Sequence, residues 1–129
     1  MEMVLKPIGV IRSPFTDPHK APRQGSKSVV RGKLVVEEQY RDALLGLEKG
    51  WKIVILYWMH LAERDVLQVH PRNDPTRPMR GVFSTRSPKR PNPISIDTVE
   101  ITGIEGTVIE VEGLDAVDGT PLLDIKCVE

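Results

Sequence analysis

Trp51-Lys52-Ile53-Val54-Ile55-Leu56-Tyr57-Trp58-Met59-His60-Leu61 is the most apolar run of the chain, and the fold turns on how it is read. A helix that crosses a membrane needs roughly 20 apolar residues, so this run is too short to span one. The β-branched Ile53, Val54 and Ile55, followed by Tyr57 and Trp58, point instead to a central buried strand. His60 then falls where that strand leaves the core, with an imidazole able to donate or accept a hydrogen bond near neutral pH.

On the N-terminal side, residues 38–50 (E-Q-Y-R-D-A-L-L-G-L-E-K-G) place Tyr40, Ala43, Leu44 and Leu47 at helical spacing, with Gly46 or Gly50 as the stop. This is the one helix expected, a plug over an end of the sheet. Before it, residues 29–37 are β-branched and read as a strand, as do residues 4–13, where Pro7 marks an edge and Pro14 a stop. The intervening residues 14–28 form a long irregular loop holding Pro22-Arg23-Gln24. Its guanidinium and amide suit a carboxylate or a base edge, although such a tripeptide alone is more often surface decoration.

On the C-terminal side, residues 62–80 are expected to be a mobile basic loop, with Arg64, Arg72, Arg77 and Arg80 among three prolines. Gly81-Val82-Phe83-Ser84-Thr85 starts like a strand. Pro88, Pro91 and Pro93 then forbid regular pairing and leave a stiff loop carrying Arg86, Lys89, Arg90 and Asn92. A loop so restricted loses little entropy on binding a small charged ligand. Residues 94–104 and 107–112 read as a hairpin, Asp118-Gly119 as a turn, and residues 122–128 as the closing strand. Strands follow one another with no βαβ alternation. The expected fold is all-β (mainly β): a single domain over residues 1–129, a small closed or curled barrel of about seven strands with one short capping helix.

Eighteen Lys/Arg balance eighteen Asp/Glu, which argues against a chain built to coat nucleic acid. The balance is uneven: residues 64–96 carry seven basic against two acidic residues, and residues 97–129 carry one against nine. Cys127 is the single cysteine, so no disulfide within the chain and no zinc cluster is expected. With no signal-peptide pattern and no membrane-length run, a cytoplasmic location is expected.

Three ordered motifs carry a resemblance. G-V-F-S-T-R-S-P-K-R-P-N-P-I (81–94), L-D-A-V-D-G-T-P-L-L-D-I-K (114–126) and I-G-V-I-R-S-P-F (8–15), with P-R-Q at 22–24, resemble the TsaA/TrmO family over about Ile8 to Lys126. That resemblance implies a β-barrel methyltransferase that uses S-adenosyl-L-methionine, is usually a homodimer, and methylates N6 of N6-threonylcarbamoyladenosine at position 37 of tRNA. It places Pro22, Arg23, Gln24, His60, Leu61, Arg86, Ile96, Glu112, Gly113, Leu114 and Asp115 around the cofactor. Arg90 and Asn92 fall at the pocket wall or the acceptor site. Neither metal, membrane nor DNA is implied.

The chemistry of the cofactor fits these residue types. Arg86 or Arg23 suits its carboxylate and Asp115 its ammonium, while backbone groups near Glu112–Leu114 suit the adenine edge. His60 and Asp118 are the candidate proton acceptors. Two departures stand out. Ser95-Ile96-Asp97 replaces the family's glycine, leucine or methionine, and serine, and longer members carry a second domain. Methylation of a small molecule or another RNA site, or a S-adenosyl-L-methionine-binding regulatory module without catalysis, are the alternatives. A glycine-rich dinucleotide fingerprint is absent, which disfavours a Rossmann methyltransferase.

Overall fold

The computed structural model describes residues 1–17 and 30–128. Six antiparallel strands close into a barrel: β1 (Gly9–Arg12), β2 (Arg31–Val36), β3 (Lys52–Trp58), β6 (Ile94–Glu105), β7 (Val108–Glu112) and β8 (Thr120–Cys127). Around the barrel the order is β1-β2-β7-β6-β3-β8, and β1 pairs with both β2 and β8, so no edge remains open. Two further short strands, β4 (Gln68–Val69) and β5 (Arg80–Gly81), pair as a separate ribbon in the long β3–β6 connection.

Alternation along the strands explains the closure. Ile53, Ile55 and Tyr57 of β3 are buried while their neighbours are not, and Val99 and Ile101 of β6 and Ile109 and Val111 of β7 repeat that period of two. With Ile11, Leu34, Val36 and Leu122 these side chains fill the barrel, and Leu114 and Ala116 from the β7–β8 connection plug one end. The expected hairpin forms between β6 and β7 about a two-residue turn, where Gly106 takes φ +61°.

The small closed barrel expected is present, with six strands among the described residues where about seven were expected. Two expectations are corrected. The segment expected as a helix is a seven-residue 3-10 helix, Glu38–Leu44, which lays Tyr40 and Leu44 on the core. Gly46, at φ +100°, ends it before a longer helix can repay its nucleation cost. The strand expected at Gly81–Thr85 gives way after Gly81 to a 3-10 turn over Val82–Ser84. There the Ser84 and Thr85 hydroxyls donate back to the carbonyls of Gly81 and Val82, an alternative to pairing that Ser and Thr offer the backbone.

Candidate functional site

The loop from Val82 to Pro93 is fixed by its own polar groups. Thr85 Oγ1 accepts from the Ser87 N–H (3.1 Å), and Ser87 Oγ accepts from the Lys89 N–H (3.2 Å). Arg90 Nη1 donates to the carbonyls of Thr85 and Ser87 (3.3 and 3.1 Å), so its guanidinium ties the loop to itself. The Met59 N–H donates to the Pro93 carbonyl at 2.7 Å, which joins the loop to the end of β3. The stiffness expected from the three prolines is thus supplemented by a ladder of hydroxyl and guanidinium bonds.

Arg64, which lies just after β3, supplies an outer brace. Its guanidinium stacks over Trp58, 5.0 Å from the ring centroid, while Nε donates to the Pro91 carbonyl (2.7 Å) and Nη2 to Asn92 Oδ1 (3.3 Å). The Arg90 N–H donates to the Glu63 carbonyl in the same region (3.2 Å). The rest of residues 62–80, expected as a mobile loop, is also internally bonded. Asp74 Oδ1 accepts from the Thr76 N–H and hydroxyl, and His70 Nδ1 lies 2.8 Å from the Arg77 carbonyl.

Where this loop meets β3 and β6 there is a half-open pocket of about 330 Å³, lined by Met59, Arg86, Arg90, Asn92, Ser95 and Ile96 among others. Four expected site residues, Arg86, Arg90, Asn92 and Ile96, therefore converge. Arg86 is exposed and makes no ion pair among the described residues, whereas the Arg90 guanidinium is partly committed to the loop. Ile94 and Ile96 present apolar, partly exposed side chains on the outward face of β6. His60 and Leu61 sit in the exposed turn that follows Met59. A larger concavity, about 600 Å³, lies outside the barrel between β2, β6 and β7. Its mixed Lys33, Lys49, Glu100 and Glu110 lining is that of a solvated sheet face, and it takes in none of the expected residues.

The β7–β8 connection approaches from the barrel interior. Gly113, at φ +108°, turns the chain, and the N–H groups of Gly113 and Leu114 both donate to the Val30 carbonyl (2.9 and 3.3 Å). Leu114 is fully buried in the core, and Glu112 accepts from Arg31 Nε at 3.2 Å on the strand exterior. Asp115 turns its carboxylate toward two side chains on the inward face of the barrel. Its Oδ1 lies 2.8 Å from the Tyr57 hydroxyl, which is also 2.9 Å from Asp97 Oδ2.

Asp97 also hydrogen-bonds Asp115 directly, and Ser95, a pocket-lining residue, lies opposite Tyr57 across the β3–β6 pair. Burial, with the adjoining Asp115 carboxylate, pushes the Asp97 carboxyl up to about 9. Burial and the two acids likewise push the Tyr57 phenol up, so it stays a donor. Reading the sequence alone missed the role of Tyr57 and singled out Asp97 only as a departure. The signal was the period of two: Asp97 shares the inward face of β6 with Val99 and Ile101.

Asp118, the other candidate proton acceptor, lies away from the pocket lining. Its Oδ1 accepts from the Ser13 N–H (3.1 Å) and its Oδ2 is 3.5 Å from Arg12 Nη1, so it secures the end of β1. Pro22, Arg23 and Gln24 fall outside the described residues. Among the described residues no cluster of three or more His, Cys, Asp or Glu could hold a metal ion, and no helix is long and apolar enough to cross a membrane.

Comparison with known proteins adds an independent line. The sequence profile of the tRNA-methyltransferase O N-terminal domain matches residues 10–128. A probable S-adenosyl-L-methionine-binding protein of Methanothermobacter thermautotrophicus is 48% identical over 126 residues, which cover 98% of this chain and 90% of that protein. A S-adenosyl-L-methionine-binding protein of Archaeoglobus fulgidus is 47% identical over 124 residues, covering 96% and 88%. The crystal structure of TrmO from Pseudomonas aeruginosa superposes with a TM-score of 0.80 at 32% identity, covering all of this chain but 57% of the other. This chain thus spans little more than half the length of that solved structure.

Proposed function

This chain belongs to the family of the tRNA-methyltransferase O N-terminal domain, and from that premise we propose that it is a S-adenosyl-L-methionine-dependent methyltransferase acting on N6 of N6-threonylcarbamoyladenosine in tRNA. The observation that carries the reading is the pocket beneath the braced loop, where a guanidinium with no ion-pair partner among the described residues, Arg86, meets the apolar Met59, Ile94 and Ile96. A volume of about 330 Å³ lies at the small end of ligand pockets. The relatives named for binding S-adenosyl-L-methionine support the choice of cofactor.

The donor set fits that cofactor. Arg86 holds its carboxylate through a charge-assisted fork, and Asp115 accepts from its ammonium. Met59, Ile94 and Ile96 exclude water from the pocket wall. When bound, the cofactor supplies an electrophilic methyl on a sulfonium, which leaves as the thioether. The rigid loop fixes the direction of approach, so positioning provides much of the rate. His60, exposed beside Met59, takes the proton the acceptor nitrogen must lose. Asp118 is assigned to β1 and not to the chemistry. The family resemblance also assigns Arg23 and Gln24 to the cofactor, and both lie outside the described residues.

The basic residues Arg72, Arg77 and Arg80, exposed on the β3–β6 connection, face the tRNA backbone. A homodimer is part of the same reading. Leu67, Met79 and Phe83 stand 65%, 49% and 81% exposed around the β4–β5 ribbon, large apolar side chains of the kind an interface buries. A second copy of the chain covers it, and a protein that sediments as a monomer at micromolar concentration removes that part of the reading.

The deciding experiment is calorimetric titration with S-adenosyl-L-methionine and S-adenosylhomocysteine, followed by transfer of labelled methyl to tRNA that carries or lacks the threonylcarbamoyl group. Transfer only to the modified tRNA is expected. Binding with transfer to a small molecule or another RNA instead replaces the substrate and keeps the enzyme. Binding without any transfer favours a regulatory module, and no binding refutes the reading.

A further inference from the structure

Tyr57 has one phenolic proton, yet its oxygen is within hydrogen-bond distance of both Asp97 (2.9 Å) and Asp115 (2.8 Å), and the two carboxyl groups also bond to each other. Two ionised carboxylates have no donor between them, so the arrangement requires one further proton on the pair. Burial decides where it resides. Asp97 is 8% exposed on the inward face of β6, while Asp115 is partly exposed on the turn. The acid is Asp97 and the carboxylate is Asp115.

We propose that Asp97 is a positioning residue: as a neutral carboxylic acid it donates to Asp115 and, together with the Tyr57 hydroxyl, aims the Asp115 carboxylate at the cationic amino group of the ligand. This rests on the reading of Asp115 as the ammonium acceptor. Topology shows why such a device is needed. Pairing between β6 and β7 starts at Glu100 and Glu112, so Asp97 lies beyond the end of β7, where Asp115 of the following turn reaches it. No strand ladder fixes Asp115, and the side chains of Tyr57 and Asp97 do that work. Ser95 brings the cluster next to the pocket wall, since it lies opposite Tyr57 in the β3–β6 ladder and lines the pocket.

The groups acting on Asp97 are few. Tyr57 comes from β3 and Asp115 from the β7–β8 turn, and no cation among the described residues acts on it. On β8, Asp124 and Lys126 pair with each other at 3.1 Å, and on β7 Glu112 is held by Arg31. An incoming ammonium therefore meets no competing cation acting on Asp97 among the described residues. At alkaline pH, loss of the Asp97 proton sets two like charges against each other, and the turn carrying Asp115 moves away.

Two measurements test this. In NMR of protein labelled at the aspartate carboxyl carbons, the resonance missing from Asp97→Asn should stay that of a protonated acid through neutral pH and titrate only in the alkaline range. Titration in the acidic range with the surface aspartates overturns the proposal. The second is the dissociation constant for S-adenosylhomocysteine across pH. Wild-type affinity should fall as pH rises past the Asp97 ionisation. Asp97→Asn, which keeps a neutral donor, should bind within about threefold of wild type at neutral pH and show no such fall, whereas Asp97→Leu should lose about tenfold or more. If the leucine variant fails to fold, the presence or absence of the alkaline fall between wild type and Asp97→Asn decides. Parallel pH profiles overturn the positioning role. Absence of binding by wild type, with Asp97 still titrating in the alkaline range, overturns the ligand reading and the positioning role together while leaving the shared proton established.

Discussion

Replacing Asp97 with asparagine should stabilise the protein, by an amount that grows with pH. The isolated carboxyl ionises at 3.8, and burial with Asp115 raises it to about 9 in the folded chain. The folded state therefore holds a proton that the unfolded state has released across the window from about pH 4 to about pH 9. Stability from this group is fully present below that window and is lost as pH rises through it, because the unfolded state binds fewer protons. Each unit costs about 1.4 kcal/mol, so at pH 7 the burial of Asp97 costs at most about 4 kcal/mol relative to a neutral isostere. Asparagine has nearly the same shape and keeps a donor toward Asp115. Urea unfolding of both proteins at pH 4.5, 7 and 8.5 measures the difference. It should be only about 1 kcal/mol at the first pH, several kcal/mol in favour of asparagine at the second, and larger at the third. Stability curves that run parallel across that range would refute both the proton assignment and the energetics built on it.

Other substitutions probe the pocket and the barrel separately. Arg86→Ala should weaken S-adenosylhomocysteine binding by about 1–3 kcal/mol in calorimetry with the unfolding midpoint unchanged, since the side chain is exposed and its only assigned partner is the ligand. Arg64→Ala removes the stack on Trp58 and two bonds to the Pro91–Asn92 turn, and should cost about 1–2 kcal/mol of ligand affinity through loss of loop order. Lysine at 64 should restore little of it, because it lacks the planar fork. Gly9→Ala should destabilise the barrel by about 3 kcal/mol or more in urea unfolding, because the added Cβ would overlap the Val35 carbonyl across the β1–β2 pair.

The barrel was legible because Ile53-Val54-Ile55-Leu56-Tyr57 is a β-branched apolar run of strand length and Val108-Ile109-Glu110-Val111-Glu112 alternates. The short elements were not. Whether residues 38–44 make an α- or a 3-10 helix depends on how few residues reach the core before Gly46, a tertiary matter. The proline loop announced its rigidity, and Arg86, Arg90, Asn92 and Ile96 do meet at one pocket. Its braces were hidden, since nothing in the local sequence tells Arg64 to lie over Trp58, or tells Arg90 to spend its guanidinium on carbonyls three and five residues back. Asp118 was read as a turn-maker and as a candidate base, and its bonds to Ser13 and Arg12 favour the first.

The energetics of Asp97 also bear on why the residue is there. Inside a closed barrel whose backbone ladders are complete, a carboxyl adds nothing that a serine or asparagine could not add at lower cost, and its burial weakens the fold at neutral pH. A group that costs stability and is set beside a second carboxyl has the pattern expected of a functional site rather than a packing solution. Its partner Tyr57 follows the same logic: phenylalanine would fill the inward position on β3 without a hydroxyl to satisfy, yet the hydroxyl is present and is shared between both acids. Tyr57→Phe should therefore raise stability or leave it unchanged while weakening ligand binding. Loss of both in equal measure would return the cluster to an ordinary role in the core.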